Sequence, residues 1–306
     1  MSNKIVIVDM SVLAFKSIFN FELALKFNRN SDFNLPASYT YVSSLISCLK
    51  KIGLNNGDIC ILALDDKSWR KNLCSDYKSN RQEAREKHTL IDWQKEFDSI
   101  SRINEQLIYA TPFHVLRIPG AESDDIASVA SRVFKDKELI LATIDSDWQM
   151  LAYYPNVKIF NLNFKTPKGK GGYIKVTKED ALKVLDKKCR CGDKGDNVLV
   201  YPNEDSEGHD AELRRVLVNL LELPEEIELS ITEVLQNLPD KSEIKWEELP
   251  FKNSLGKRFE EIYNPIHKVS PEYCYALKEK RTKLKKKKEA DKRQLKKKEN
   301  KNENRS

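Results

Sequence analysis

The stretch Glu138-Leu139-Ile140-Leu141-Ala142-Thr143-Ile144-Asp145-Ser146-Asp147 is an apolar run that ends in two aspartates. A short run without polar alternation is typical of a strand that is buried on both faces. The same arrangement occurs in residues 4–9 and 58–65, where each apolar run again ends in aspartate. Helical patterns separate these runs along the chain. The sequence therefore predicts an α/β fold with a central, mostly parallel, twisted sheet and helices on both faces.

Acids follow the predicted strands or open the helices after them. They are Asp9, Asp65, Glu122, Asp124, Asp125, Asp145 and Asp147. Because the carboxyl ends of parallel strands share one edge of a sheet, these side chains are expected to converge. Converged carboxylates raise one another's pKa, and a hard divalent cation with oxygen ligands removes that penalty. The pattern predicts a divalent-metal site, although a single acid such as Asp9 is equally consistent with a helix cap.

The other common catalytic groupings have no counterpart in the sequence. No Ser-His-Asp or Cys-His arrangement is visible, and the four histidines are dispersed at positions 88, 114, 209 and 267. Two metal ions about 4 Å apart can activate water and stabilise the leaving oxygen of a phosphodiester. Metal-assisted phosphoryl chemistry is therefore the reaction class that the residues favour.

Residues 67–93 combine positive charge with aromatic side chains. The members are Lys67, Trp69, Arg70, Lys71, Tyr77, Lys78, Arg81, Arg85, Lys87 and Trp93. This combination suits a segment that binds phosphates and stacks on bases. A solvated basic helix explains the charge equally well. The basic, glycine-rich residues 165–172 lack P-loop spacing and predict a hairpin.

Composition limits the class of protein. The chain has 306 residues, 40% of them hydrophobic, which is enough for a sizeable core. It contains no run of eighteen apolar residues and opens on a strand-like segment rather than a signal peptide. We therefore expect a globular protein with no membrane partner, located in the cytoplasm and not secreted. Six cysteines without scaffold spacing predict free thiols, and the pair Cys189 and Cys191 lacks the second pair of a zinc site.

Six short motifs occur in a fixed order over roughly residues 1–200. They are Ile5-Val6-Ile7-Val8-Asp9, Leu64-Asp65, Trp69-Arg70-Lys71 with Asp76-Tyr77-Lys78-Ser79-Asn80-Arg81, Glu122-Ser123-Asp124-Asp125, Asp145-Ser146-Asp147 and Gly192-Asp193-Lys194-Gly195-Asp196-Asn197. In this order the chain resembles the 5′ nuclease, or flap-endonuclease, superfamily, and within it the phage ribonuclease H and 5′→3′ exonuclease group. Each motif is weak alone, and the ordered set carries the resemblance.

The resemblance implies two Mg²⁺ ions, for which Mn²⁺ would substitute. The first ion would be held, directly or through water, by Asp9, Asp65, Glu122, Asp124 and Asp145. The second would lie toward Asp147, Asp193 and Asp196, and Asp125 would act through water or support the ligands. Asp65 is preferred to Asp66 because it follows the strand directly.

The resemblance also implies a helical arch over the site, at about residues 67–93. Lys78 and Arg81 would contact the scissile phosphate, and Tyr77 would stack near the terminal base. Arg70, Lys71 and Arg85 complete the set expected to bind nucleic acid. The implied activity is removal of RNA primers, 5′ flaps or 5′ ends during DNA replication, on DNA or an RNA–DNA hybrid with a free 5′ end.

The implied partners are a single-strand DNA-binding protein or a sliding clamp, and the implied state is a monomer. Two other hypotheses remain open at this stage. One is a catalytically silent, structure-specific DNA-binding replication protein with the same fold. The other is a PIN-like nuclease that cleaves RNA, against which the basic arch argues.

The expected organisation has three parts. Residues 1–180 form the α/β nuclease domain, 181–270 a helical DNA-binding region, and 271–306 a lysine-rich tail that is flexible or a solvated helix. The tail departs from the family pattern. A second departure is that the usual glycine-rich hairpin after Asn197 is altered or missing. Residues 278–306 hold fifteen Lys and Arg against five acids, whereas residues 1–277 hold 38 against 42. The tail is expected to add non-specific DNA affinity, or alternatively only solubility.

Overall fold

A computed structural model describes residues 4–27, 35–55, 57–163, 172–200, 210–241 and 245–263. It contains one six-stranded sheet with the strand order β3-β2-β1-β4-β5-β6. The strands are β1 (Ile5–Asp9), β2 (Ile59–Leu64), β3 (His114–Arg117), β4 (Leu139–Thr143), β5 (Val157–Asn161) and β6 (Gly172–Ile174). All neighbouring pairs are parallel except β5 with β6, which is antiparallel. The predicted mostly parallel sheet is confirmed.

Ten α-helices and two 3₁₀ helices surround the sheet in the described ranges. They are α1 (Met10–Lys26), α2 (Ala37–Ile52), α3 (Arg70–Leu73), α4 (Asn80–Glu86), α5 (Trp93–Ala110), α6 (Ser123–Val133), α7 (Lys178–Cys191), α8 (Ala211–Val218), α9 (Glu225–Gln236), α10 (Lys252–Tyr263) and the 3₁₀ helices Asp147–Tyr153 and Trp246–Glu248. Within these ranges, none of the helices combines the length and apolar character needed to cross a bilayer.

Strand β1 is the centre of the sheet because it pairs with β2 on one side and β4 on the other. Its residue Val8 lies opposite Leu62 of β2 and Ala142 of β4. This register aligns the carboxyl ends of the three strands. The acids that follow them therefore meet at one edge of the sheet, as the sequence pattern predicts.

The two faces of the sheet carry separate hydrophobic cores. Because strand side chains alternate, Val6 and Val8 face one core, which contains residues of α1, α2, α5 and α10. Ile5 and Ile7 face the other, which contains residues of α6, the 3₁₀ helix Asp147–Tyr153 and α9. Helices thus cover both faces, as predicted.

The C-terminal helices share these cores with the sheet. Helix α10 contributes Phe259 to the first core, and α9 contributes Ile231 to the second. The predicted boundary at residue 180 falls inside α7, which packs against the 3₁₀ helix Asp147–Tyr153. That boundary stays a prediction. The glycine-rich turn expected at 165–172 lies almost entirely outside the described residues, and the tail at 271–306 lies wholly outside them.

The segment predicted as an arch consists of short helices joined by turns. Helix α3 has four residues and α4 has seven, and none of the side chains of α4 is buried. A hydrogen-bonded contact joins the turn before α4 to the loop after α7. In it, the Lys78 amide donates to the Asp196 carbonyl at 2.8 Å, and Asn197 Nδ2 donates to the Asp76 carbonyl at 3.0 Å.

Gly192 ends α7 at the point where this loop begins. Its φ is +67°, a left-handed value that favours glycine. A Cβ at this position would lie 2.2 Å from the carbonyl oxygen of Val198, which pairs with Asp193 in an isolated β-bridge. The loop can keep this shape only with glycine at its start.

We expect Gly192→Ala to lower the free energy of unfolding by more than about 2 kcal/mol, because both the backbone and the Val198 carbonyl must shift. Gly256→Ala is the matched control, since Gly256 lies inside α10 with no atom within 4 Å of its added Cβ. That change should raise stability by about 0.5–1 kcal/mol. Denaturant titration measures both, and equal effects of the two variants would contradict the assignment.

Candidate active site

A cavity of 570 Å³ lies at the edge of the sheet where the strand ends meet. Its acidic wall consists of Asp9, Asp65, Glu122, Asp124 and Asp145. Further lining residues come from the arch segment and from helix α1, and they include Lys78, Arg81, Arg85, Phe15 and Phe19. The structure therefore brings together all five acids that the sequence analysis assigns to the first metal, with three of the six predicted nucleic-acid-binding residues in the same lining.

Asp9 has two roles at the end of β1. One carboxylate oxygen accepts from the Val12 amide at 3.1 Å and caps α1, and the other accepts from Thr143 Oγ1 at 2.8 Å. Asp9 thus caps α1 and also lines the cavity, and its role as a metal ligand stays a prediction. Burial, and then the charge of Asp65, raise the pKa of Asp9 to about 7.

The neighbours Asp65 and Asp66 have different surroundings. Asp65 lines the cavity and accepts from the Ser123 amide at 2.9 Å. Asp66 accepts from the Gly120 amide at 3.1 Å and is not among the residues that line the cavity. The structure therefore places Asp65 at the site and gives Asp66 a role in holding the loop before α6.

The N-cap and first turn of α6 carry three acids whose oxygens lie within 4.8 Å of one another: Glu122, Asp124 and Asp125. Burial, and then the charge of Asp125, raise the pKa of Asp124 well above its ordinary value. A nearby positive charge therefore stabilises the ionised form of Asp124. The protein supplies part of that charge from its own side chains.

Arg70 supplies charge from inside the protein and is only 1% exposed. Its guanidinium donates to Glu122 at 3.0 Å and forms two hydrogen bonds to Asp125, at 2.9 and 3.1 Å. Its Nε donates to the carbonyl of Leu217 at 2.9 Å. The expectation that Arg70 binds nucleic acid is therefore corrected, because its donors are occupied by buried partners.

Asp125 lies beside the acids of the cavity, in a position that fits its expected support of the ligands, and a contact with the metal through water stays a prediction. It is fully buried and accepts from Arg70, from Trp69 Nε1 at 3.2 Å and from the Glu122 amide at 2.9 Å. It does not line the cavity. Asp125 is thus an anchor for Arg70 and for the start of α6. Trp69 contributes to this anchor, which the sequence analysis did not anticipate.

Tyr77 belongs to the arch segment, but its side chain is buried in the protein instead of exposed on the surface. The side chain is 2% exposed, and its hydroxyl is within hydrogen-bond distance of Glu122, at 3.0 Å, and of Asp196, at 3.1 Å. The expectation that its ring stacks on a terminal base is corrected, because the ring is enclosed by the protein. Tyr77 instead links the first group of acids to the loop after α7.

The cations Lys78 and Arg81 connect the same two regions from the cavity side. Lys78, which has a left-handed φ of +58°, forms an ion pair with Glu122 and lies 3.6 Å from Asp196. Arg81 forms an ion pair with Asp196 at 2.6 Å. Burial raises the pKa of Asp196, but these two cations outweigh it and hold that pKa below its ordinary value. Lys71, in contrast, is exposed on α3, and its predicted contact with nucleic acid stays a prediction.

A second group of acids consists of Asp147, Asp193 and Asp196, whose oxygens lie within 4.8 Å of one another. Lys188 of α7 forms ion pairs with both Asp147 and Asp193. Burial, and then Asp145, raise the pKa of Asp147 to about 6 even with this lysine present. Lys188 is not among the residues expected at the site. The sequence offers one indication of its role, namely its position five residues before Asp193.

The donor set fits a hard divalent cation. All the candidate ligands are carboxylate oxygens, which suit Mg²⁺, Mn²⁺ and Ca²⁺ better than softer ions. Among the described residues, Asp9, Asp65, Asp124 and Asp145 form no ion pair with lysine or arginine. Asp9 is buried, Asp65 and Asp124 are partly buried and Asp145 is exposed, so a bound metal would offset the repulsion among these carboxylates.

A model of the 5′–3′ exonuclease N-terminal, resolvase-like domain matches residues 4–185, more than half of the chain. The chain belongs to this 5′–3′ exonuclease family. Ribonuclease H of Enterobacteria phage T4 is 31% identical over 152 residues, which are 49% of this chain and 47% of that protein. The match thus spans about half the length of this curated relative.

Two solved structures are similar to this chain at low sequence identity. One is phage T5 5′-exonuclease with bound zinc, at 19% identity and a TM-score of 0.47, over 85% of this chain and 93% of that one. The other is the catalytic core of Rad2 with a DNA substrate, at 14% identity and a TM-score of 0.43, over 88% and 93%.

We expect Arg70→Met to lower the free energy of unfolding by about 3–5 kcal/mol, because it leaves the buried Asp125 without an ion-pair partner and removes one of the two cations that pair with Glu122. Lys71→Met is the matched control, since the adjacent side chain is exposed, and it should change stability by no more than about 0.5 kcal/mol. Denaturant titration of both variants measures the difference. Similar stabilities for the two would contradict the structural role of Arg70.

Proposed function

We propose that this protein is a divalent-metal-dependent 5′ nuclease that hydrolyses phosphodiester bonds to remove RNA primers, 5′ flaps or 5′ ends during DNA replication. The observation that carries the proposal is the cavity itself. Acids from β1, the β2 and β4 ends and α6 line it together with Lys78 and Arg81 of the arch segment. Membership of the 5′–3′ exonuclease family supports the same reaction class.

Mg²⁺ is the cofactor that we propose, with Mn²⁺ able to substitute. Asp9, Asp65, Glu122, Asp124 and Asp145 would hold one ion, and Asp147, Asp193 and Asp196 a second. When bound, such ions supply a water of lowered pKa and positive charge beside the phosphate. The carboxylate oxygens that line the cavity favour hard cations of this kind.

The chain's own residues would then position and neutralise the substrate. Lys78 and Arg81 provide positive charge beside the acids of the cavity, close to where the scissile phosphate would lie. In this structure both cations are paired with Glu122 or Asp196. A phosphate that enters the cavity exchanges these internal pairs for pairs with its own oxygens, which orients it toward the acids.

Arg85 adds to the positive charge of Lys78 and Arg81. It lines the cavity and lies over the ring of Phe15 at 6.0 Å and that of Phe97 at 5.8 Å. These contacts hold the guanidinium at the mouth of the cavity without an acid partner of its own among the described ion pairs. We propose that Arg85 binds the nucleic-acid backbone there, while Lys71 makes a more peripheral contact.

The proposed substrate is DNA or an RNA–DNA hybrid with a free 5′ end or flap. T4 ribonuclease H, by its name, acts on such hybrids, and the Rad2 core was solved with a DNA substrate. We further propose a monomer in the host cytoplasm that meets a single-strand DNA-binding protein or a sliding clamp. These partners rest on the replication role alone.

We expect Asp124→Asn and Asp145→Asn each to reduce cleavage of flapped or RNA-primed DNA at least about a thousandfold, equivalent to about 4 kcal/mol of transition-state stabilisation. Both variants should still bind DNA, because the cations that line the cavity are retained. Asp66→Asn is the matched control: it keeps the hydrogen bond to Gly120 and lies outside the cavity lining.

A gel assay with labelled nicked, flapped and RNA-primed substrates and Mg²⁺ measures these rates. Full activity of either cavity variant would refute the assignment of the acids. A wild-type protein that binds these substrates without cleaving them would favour the silent DNA-binding protein. Cleavage of RNA alone would favour the PIN-like nuclease.

Deletion of residues 278–306 tests the proposed contribution of the tail to DNA affinity. Its net positive charge should release counterions from the DNA backbone, at roughly 0.7–0.9 ions for each phosphate contacted. We expect weaker binding and a smaller dependence of log Kd on log salt concentration after the deletion. An unchanged salt slope would indicate a tail that serves only solubility.

A further inference from the structure

Lys188 is the cation that joins two members of the second group of acids. It lies in the last turn of α7, which starts at a capping box between Thr177 and Asp180 and packs against the 3₁₀ helix Asp147–Tyr153. Its ammonium bridges Asp147, at the start of that 3₁₀ helix, and Asp193, just after α7. The side chains of all three residues are less than one-fifth exposed.

The two groups of acids are neutralised in different ways. In the second group every acid has a cation of the protein: Lys188 for Asp147 and Asp193, and Arg81 for Asp196. In the first group Glu122 pairs with Arg70 and Lys78, whereas the other four acids, Asp9, Asp65, Asp124 and Asp145, form no ion pair within the described residues. This difference in pairing results from the positions of Lys188 on α7 and Arg81 in the arch segment.

We propose that Lys188 is a built-in counterion of the second group of acids and that it competes with a divalent cation for Asp147 and Asp193. In the absence of metal the ammonium holds these two carboxylates together. Metal entry at this group requires the ammonium to leave, and the flexible four-carbon side chain allows this without moving α7. Lys188 is thus a positioning residue that weakens the second site relative to the first. This inference rests on the proposed divalent-metal chemistry.

The size of the effect follows from the charges. A single positive charge a few Å from a bound dication, in a partly exposed site, changes its binding free energy enough to shift affinity by about tenfold or more. Removing the lysine charge should therefore strengthen metal binding at the second group. A purely structural role predicts the opposite, because a variant with a disturbed site binds metal more weakly.

The test uses the full chain and Mn²⁺ in the absence of nucleic acid, with calorimetry and electron paramagnetic resonance as readouts. We expect wild-type protein to bind one ion tightly and a second more weakly. Lys188→Met should bind the second ion about tenfold more tightly with the first unchanged. Lys188→Arg, which keeps the charge, should behave like wild type.

Lys183→Met is the matched control on the same helix. Lys183 pairs with Glu179 at the surface, where both side chains are about two-thirds exposed or more, and its loss should leave both Mn²⁺ affinities unchanged. Thermal unfolding in chelator gives an independent readout. Lys188→Met should unfold at a lower temperature than wild type, and excess Mn²⁺ should raise its unfolding temperature by more than it raises that of wild type.

An unchanged or weaker second affinity in Lys188→Met would overturn the inference. Because Lys188→Arg and the thermal readout are measured beside it, a misfolded Met variant would be recognised, and Lys188→Gln then provides the neutral comparison. Wild-type protein that binds no Mn²⁺ and cleaves no substrate would overturn the proposed function itself. Wild-type protein that binds two ions and cleaves, with no gain in the neutral variants, would overturn only the role of Lys188.

Discussion

Repulsion among carboxylates is the constraint on which this structure depends. The register of β1 with β2 and β4 directs acids from distant segments to one edge of the sheet. Burial, and after it the charge of neighbouring carboxylates, raise the pKa of Asp9, Asp124 and Asp147. Four cations of the protein offset this repulsion, and they differ in exposure. Arg70 is buried, Lys78 and Lys188 are partly buried, and Arg81 is the most exposed.

Arg70, the buried cation, has a structural role that differs from the roles of the other three. Arg70 joins the beginning of the arch segment to α6 through Glu122 and Asp125, and to α8 through the Leu217 carbonyl. A buried ion pair contributes little net stability, but removal of one partner is costly. Its main effect is to fix where three elements meet. Lys78, Arg81 and Lys188 can exchange their partners, because water or a ligand reaches them.

The strand ends and their acids were predictable because they have local signatures. An apolar run such as residues 138–143, followed by acid, specifies both a buried strand and the position of its charge. The predicted roles of Arg70 and Tyr77 were wrong for a nonlocal reason. Both lie in a basic, aromatic segment that resembles a surface, and only partners far along the chain bury them: Leu217 lies 147 residues from Arg70, and Asp196 lies 119 residues from Tyr77. Lys188 escaped notice because lysine in a last helical turn is ordinary, as it complements the helix dipole.

The hydrogen bond from Arg70 to the Leu217 carbonyl indicates the shortest segment of the chain that satisfies its buried polar groups. The family domain matches residues 4–185, and a fragment cut there would keep all the acids of the first group. It would lose Lys188, Asp193 and Asp196, and it would leave the Arg70 Nε without its acceptor inside the protein. The segment defined by sequence similarity is therefore smaller than the segment defined by satisfied hydrogen bonds, which extends at least to α8.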